Sequence, residues 1–275
     1  MLENNKLLID QDCPMCAAYG AGFTKFGLID PQTVSPYQYA DSSLARRVDM
    51  DRARSEIALY DQTTDRTVYG IDAMIAIVSH QRPRLRQLLH GKPLYYLLRQ
   101  LYAFISYNRK VIHPAAPRFG RRDCTPPLHR TYRWLYILLT ALFTGFILNR
   151  YVYLINEGWS LAYNPVREYL ICFGQIAWQG AIVGWLAQKQ TLTYLGNMST
   201  VSLVGAILLS PMLLLSTLVS LSPMVLLAYF LLVVGLMLRE HLRRCQALGL
   251  PLGITASWII FRTFVLAIVL TTVFL

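Results

Sequence analysis

The sequence predicts an α/β domain built on a small sheet, followed by an all-α bundle of about five transmembrane helices. Three observations predict it. Charge is divided unevenly: residues 1–133 carry 19 Lys and Arg with 12 Asp and Glu, whereas residues 134–275 carry 7 and 3. Hydrophobic residues make up 55% of the 275-residue chain and the mean hydropathy is +0.38. The excess falls in the second half, in runs near the roughly 20 residues that cross a bilayer. The first half instead alternates short β-like runs with helical stretches.

The first element is Leu7-Leu8-Ile9, an apolar run that reads as a buried strand. It leads into Asp10-Gln11-Asp12-Cys13-Pro14-Met15-Cys16. A helix is expected from Pro14 to Leu28, with Pro14 in its first turn. Gly20, Gly22 and Gly27 weaken it. Two sulfurs therefore sit where a strand hands over to a helix. There the unpaired N–H groups and the positive end of the dipole favour a thiolate.

Val34 to Tyr39 reads as a second strand and Ser42 to Asp51 as a polar helical crossover. Glu56–Tyr60 and Thr67–Tyr69 flank a polar loop and read as a hairpin. Gly70-Ile71-Asp72-Ala73 opens an amphipathic helix. Pro83 and Pro93 precede two more, at about 84–90 and 93–108. The order β-(CxxC)-α-β-α-β-β-α is that of a thioredoxin-like domain, assigned to residues 1–110. Residues 111–133, with Pro114, Pro117, Pro126, Pro127, Arg118, Arg121 and Arg122, read as a basic, proline-rich juxtamembrane linker.

Residues 134–275 form the membrane part, with spans expected at about 134–155, 169–187, 199–219, 223–239 and 254–275. Arg130 and Arg133 before the first span, Lys189 in the next inner loop, and Arg239, Arg243 and Arg244 in the last one place those loops in the cytosol. The N-terminal domain is then cytosolic in an inner or plasma membrane, and the C-terminus lies outside. Met1 to Lys6 precede only three apolar residues, which is not a signal peptide. Trp134, Tyr136, Tyr151, Tyr153, Trp159, Tyr169 and Trp185 fall near the expected interfaces. Gly180-x-x-x-Gly184 suits close helix packing. Arg262, about 12 Å into the last span, is either a functional intramembrane charge or a snorkelling one, with Glu240 as a candidate ion-pair partner.

The net charge of +11 concentrates its basic residues at 82–133, beside the first span. Anionic lipid accounts for such a cluster more simply than nucleic acid, which is not expected as a partner.

Residues 7–16, Gly70-Ile71-Asp72-Ala73 and Tyr107-Asn108-Arg109 resemble, in order, the DCC family of thiol-disulfide oxidoreductases. That family is named for an Asp…Cys-x-x-Cys motif after the first strand, usually Asp-Gly-x-Cys-x-x-Cys. Asp10, Cys13 and Cys16 match, and Gln11 replaces the glycine. The resemblance covers about residues 5–125. It implies a thioredoxin-like fold and redox activity of the two cysteines, and carries no substrate.

The candidate catalytic residues are Cys13, Cys16, Asp10 and Asp12. Cys13, nearer the helix start and expected to be the more exposed, is the nucleophile; Cys16 resolves the mixed disulfide. A zinc site or two inert cysteines are the alternatives, and a zinc site lacks a second ligand pair. Asp10 is either a proton relay or a turn residue; Asp12 is the better helix-cap candidate. Cys124 and Cys245 form a possible second pair, or are unrelated. Cys172 alone near the outer side argues against a transmembrane relay. The third strand is preceded by Arg52-Ala53-Arg54-Ser55, without the proline that completes a thioredoxin site. No cofactor or metal is expected. Partners are a protein or small-molecule disulfide, membrane lipid and a possible membrane redox protein. The alternative function is a membrane transporter or scaffold with a non-catalytic cytosolic domain, supported by Arg262, Gln175 and Gln179.

Overall fold

The computed structural model describes residues 4–80, 82–114, 122–159, 161 and 163–274. Pro117, Arg118 and Arg121 of the expected linker lie outside the described residues. The chain divides into two compact units, Met1–Tyr132 and Arg133–Leu275.

In the first unit, β1 (Asn5–Ile9), β2 (Val34–Pro36), β3 (Ala58–Asp61) and β4 (Arg66–Tyr69) form one sheet in the order β2-β1-β3-β4. β1 pairs parallel to β2, with Leu7 opposite Val34. It pairs antiparallel to β3, with Leu7 opposite Leu59, and β3 pairs antiparallel to β4. The parallel pair needs a crossover, and α1 (Pro14–Lys25) supplies it. The second strand is shorter than expected. Pro36 cannot donate to a ladder, and Tyr37–Tyr39 turn instead into a 3-10 helix.

Alternation along the strands fills both faces of the sheet. Leu7, Ile9, Ile57 and Leu59 pack with Cys13, Cys16 and Phe23 of α1 and with Ala73 and Ile77 of α4 (Gly70–Val78). Leu8, Ala58 and Tyr60 face the other way. They meet Leu44 of α2 (Ser42–Arg47), Ala53 of α3 (Met50–Ala53) and Cys124. Burial on both faces explains why β1 reads as an uninterrupted apolar run. α5 (Pro83–Leu89) and α6 (Lys92–Ile112) complete the helices that follow the sheet.

The expected linker is in part a wall of this unit. Cys124 is buried under the second face, Arg54 Nε donates to the Thr125 carbonyl at 2.6 Å, and Arg122 donates to the Ala40 carbonyl at 2.5 Å. An apolar thiol with two arginine tethers suits that face better than a membrane surface.

Among the described residues, the second unit holds five helices long and apolar enough to cross a membrane, so the chain is an integral membrane protein. They are α7 (Arg130–Gly158), α8 (Arg167–Leu186), α9 (Thr191–Ser216), α10 (Pro223–Ala247) and α11 (Leu252–Phe274). Several expectations within the bundle are corrected. Tyr136 and Tyr151 are buried, not interfacial: their hydroxyls bond Thr200 and the Leu226 carbonyl, each at 2.8 Å. Such satisfaction is what a buried phenol needs. A side chain at Gly180 or Gly184 would meet only ordinary contacts. The close approaches are Gly145 against Tyr169, Gly158 against Pro223 and Gly205 against Met237. Glu240 does not reach Arg262. It pairs with Arg243 and Arg244, both at 2.7 Å, because helical neighbours three and four residues on are nearer.

Candidate functional site

β1 ends at Ile9, and the chain turns through Asp10–Asp12 into α1. The Cys13 amide donates to the Asp10 carbonyl at 3.2 Å, closing that turn. Cys13, not Asp12, occupies the N-cap position, and Pro14 follows it at the start of the helix. Cys16 lies one turn further in. The two sulfurs therefore share the N-terminal turn of α1, as the Cys-x-x-Cys spacing on a helix requires. Both are free thiols.

Cys13 was expected to be the exposed one of the pair. Instead both are buried, Cys13 at 2% and Cys16 at 5% exposure. They belong to the apolar cluster formed by the inner strands and α4. What separates them is electrostatics. The Cys16 thiol hydrogen-bonds to Cys13 sulfur and pulls the Cys13 pKa down to about 6, against the opposing effect of burial. The backbone of Cys16 and Met15 and the charge of Arg109 add to the lowering. The two backbone groups are orphan amides of the helix start. Cys16 is pushed up, first because it holds its proton in the bond to Cys13 and then by burial. One thiolate and one proton donor share the turn.

Asp10 is the centre of a second layer. Its carboxylate accepts from Gln38 Nε2 at 2.7 Å and from the Asp12 amide at 3.1 Å. Lys110 Nζ lies 3.1 Å from it and Arg109 Nη2 3.5 Å. Asp10 is thus a buried carboxylate held by two cations and two amides. Asp12, by contrast, is the residue whose backbone closes on Asp10.

Arg109 was not among the predicted site residues, although Asn108-Arg109 carried part of the family resemblance. It stands near the C-terminal end of α6, buried, with its fork spread over the chain that enters β3. Nη2 donates to the Arg54 carbonyl at 2.7 Å and the Cys124 carbonyl at 2.6 Å; Nη1 donates to the Ser55 carbonyl at 3.3 Å. The Ser106 hydroxyl donates to the same Ser55 carbonyl. The segment that lacks the expected proline is thus held by an arginine. Lys110 and Gln38 were also missed. Each is far in sequence from the motif, and nothing local marks either.

Cys124 sits on the other side of the sheet from the dithiol. Its sulfur lies 3.3 Å from Arg109 Nη2, and burial pushes its pKa up to about 12. Cys245 belongs to the other unit, 3.7 Å from His241 Nδ1. Each of these cysteines has its own surroundings within its own unit.

Tyr102 of α6 accepts a hydrogen bond at its hydroxyl oxygen from the amide of Ile57, just before β3, at 2.9 Å. Its ring lies between two spaces. One, of about 30 Å³, is lined by Met15, Cys16, Tyr19 and Arg109. The other is a polar cleft of about 490 Å³ lined by Arg52, Glu56, Asp72, Tyr95 and Arg99. Among the described residues, no group of three or more His, Cys, Asp or Glu side chains is placed to hold a metal ion.

No protein-family model, curated protein or solved structure matches the chain.

Proposed function

We propose that the N-terminal unit is a thioredoxin-like thiol-disulfide oxidoreductase of the DCC type, carried by a membrane bundle. The observation that carries this reading is the opposed pair of thiols at the start of α1, one lowered to about 6 and the other raised. A nucleophile needs a thiolate at ambient pH, and a resolving thiol needs to keep its proton until it is used. The strand order β2-β1-β3-β4, with β1 and β2 parallel and β3 and β4 antiparallel to their neighbours, supports the thioredoxin-like part.

In the reaction, the Cys13 thiolate attacks one sulfur of a substrate disulfide. A Cys13–substrate disulfide forms and the other substrate sulfur leaves as a thiolate, which takes a proton. Cys16 then loses its proton and attacks Cys13 sulfur. The second substrate thiol leaves, and a Cys13–Cys16 disulfide remains. The substrate has gained two electrons and the dithiol has lost them; the reverse direction oxidises a dithiol. Asp10 in this account positions Arg109 beside the sulfurs, with Lys110 on its other side as a second cation. The cleft beyond Tyr102 has the size of a small-molecule or peptide site and is where the rest of a substrate would sit.

The bundle anchors the domain to the membrane. Arg130, Lys189, Arg239 and Arg243 support a cytosolic N-terminal unit and an outside C-terminus. The experiment is substrate trapping with Cys16→Ser. Without the resolving sulfur, Cys13 should stay in mixed disulfides, seen as reductant-sensitive higher-mass bands. Cys13→Ser should abolish them. Equal banding in both variants contradicts the assignment.

A further inference from the structure

The bundle holds a small, largely apolar cavity, with several polar side chains in its lining, that the dithiol reading does not use. Its lining includes Thr144 of α7, Cys172 and Gln175 of α8, Ser199 and Ser202 of α9, and Arg262 of α11. Three of these side chains are buried and carry a polar atom with no partner: Thr144 Oγ1, Gln175 Nε2 and Ser199 Oγ. Their residues are 4%, 3% and 4% exposed. One such atom costs about 1–3 kcal/mol, so three around one space call for an occupant.

The charge of the site says what that occupant is. Arg262 donates from Nε to Gln175 Oε1 at 2.9 Å, and its guanidinium lies 4.9 Å from the Trp258 ring centre. Both neighbours are neutral. Glu240 is taken by Arg243 and Arg244, and Glu168 by Arg167 at 2.8 Å. Among the described residues, no carboxylate forms an ion pair with Arg262; Glu168 acts on it only from beyond ion-pair distance and is itself bound by Arg167. A cation within a span that lacks a counterion is costly. The bond from Arg262 also occupies the Gln175 oxygen, which leaves that amide its N–H groups. Guanidinium and amide N–H groups only donate, and the two hydroxyls can donate as well. The lining thus brings donors from four helices to one space, and the nearest cation, Arg262, has no ion-pair partner among the described residues. A water could accept these bonds and would leave the charge uncompensated.

We propose that this cavity binds a small monovalent inorganic anion of about the size of chloride. Arg262 supplies the charge, and Gln175 Nε2, Thr144 Oγ1 and Ser199 Oγ supply the donors. The space, about 20 Å³, holds one water-sized or halide-sized group. It excludes a carboxylate-bearing molecule.

The test is thermal melting of the full-length protein in detergent at fixed ionic strength. Sodium gluconate, whose anion is too large to enter, is replaced stepwise by sodium chloride. The melting temperature should rise with chloride and saturate, as for a ligand that binds only the folded state. Bromide should substitute for chloride. Ser199→Ala should raise the half-saturating chloride concentration about tenfold, for the loss of one hydrogen bond to a charged group. Arg262→Gln should abolish the dependence. If Arg262→Gln does not fold, the Ser199→Ala and Thr144→Ala shifts decide. Identical melting in chloride and gluconate overturns the proposal. So does a chloride dependence that Ser199→Ala and Thr144→Ala both leave unchanged.

Discussion

Asp10, at the end of β1, and Arg109, at the end of α6, form a buried ion pair, Nη2 to Oδ2 at 3.5 Å. It joins the turn that carries Cys13 to the chain that enters β3, because the same guanidinium holds the carbonyls of Arg54 and Ser55. Two segments remote in sequence are thereby fixed to one side chain, beside two sulfurs.

Breaking that pair should be costly. Arg109→Leu leaves Asp10 with Lys110 as its one cation and takes a charged donor from the carbonyls of Arg54, Ser55 and Cys124. The loss should be about 3–5 kcal/mol, the range for a buried pair deprived of one partner. Arg109→Lys keeps the charge but not the fork, and should lose less. Denaturant melts of the full-length protein, followed through the N-terminal unit, measure both. A loss below about 1 kcal/mol in Arg109→Leu contradicts this role.

The same arginine lowers the Cys13 pKa, after the larger contribution of Cys16. The alkylation rate of Cys13 by iodoacetamide should therefore rise with pH around a midpoint near 6. Cys16→Ala removes the main proton donor and should move the midpoint up by more than Arg109→Leu does. Equal midpoints in all three proteins contradict the assigned cause.

Stability should follow the same group. Cys13 has a folded pKa of about 6 against 9.0 as its ordinary value. A depressed acid contributes stability that is complete above the unfolded pKa and is lost as pH falls through the folded one. Its share should therefore grow between about pH 6 and pH 9, to about 4 kcal/mol at most by linkage. Cys16 acts in the opposite direction above pH 9. Comparing wild type with Cys13→Ser across this window isolates the contribution. A difference that is flat with pH contradicts it.

How much of this was legible in the sequence depends on how local the signal is. The apolar run Leu7-Leu8-Ile9, the Cys-x-x-Cys spacing and Pro14 all act within one turn of chain, and the strand and helix stand where they are expected. The five membrane helices follow from hydropathy alone. Asp10 could not be assigned, because Gln38, Arg109 and Lys110 meet it only through the fold. Glu240 offered Arg262 a partner on paper, and the nearer Arg243 and Arg244 took it. Cys124 looked like linker, and no local pattern says that a thiol will fill the second face of the sheet.

Glycine chemistry gives a prediction with two signs. Gly70 has φ of +59°, and a Cβ there would lie 2.8 Å from Glu56 Oε2 and 3.1 Å from Tyr102 Cε1. Gly70→Ala should destabilise by about 1–3 kcal/mol. Gly22 lies within α1 with nothing near its missing Cβ. Gly22→Ala should stabilise by about 0.5–1 kcal/mol. Melts of the two variants check the contrast, and a shift of the same sign in both contradicts it.

Burial of both sulfurs predicts gated reactivity. Cys13 should react with a thiol reagent more slowly than a free thiol at the same thiolate fraction. Low denaturant should speed it before global unfolding begins, because access requires local opening. Rapid labelling in native buffer at the rate of a free thiol contradicts that.

The most direct test of the central claim is a thiol-trapping titration of the full-length protein across a glutathione redox series. A reversible Cys13–Cys16 disulfide is the predicted result, with a midpoint of about −200 to −270 mV, the range of thioredoxin- and glutaredoxin-type dithiols. Two thiols that stay reduced, or oxidise irreversibly, across the whole series would contradict a dithiol that turns over.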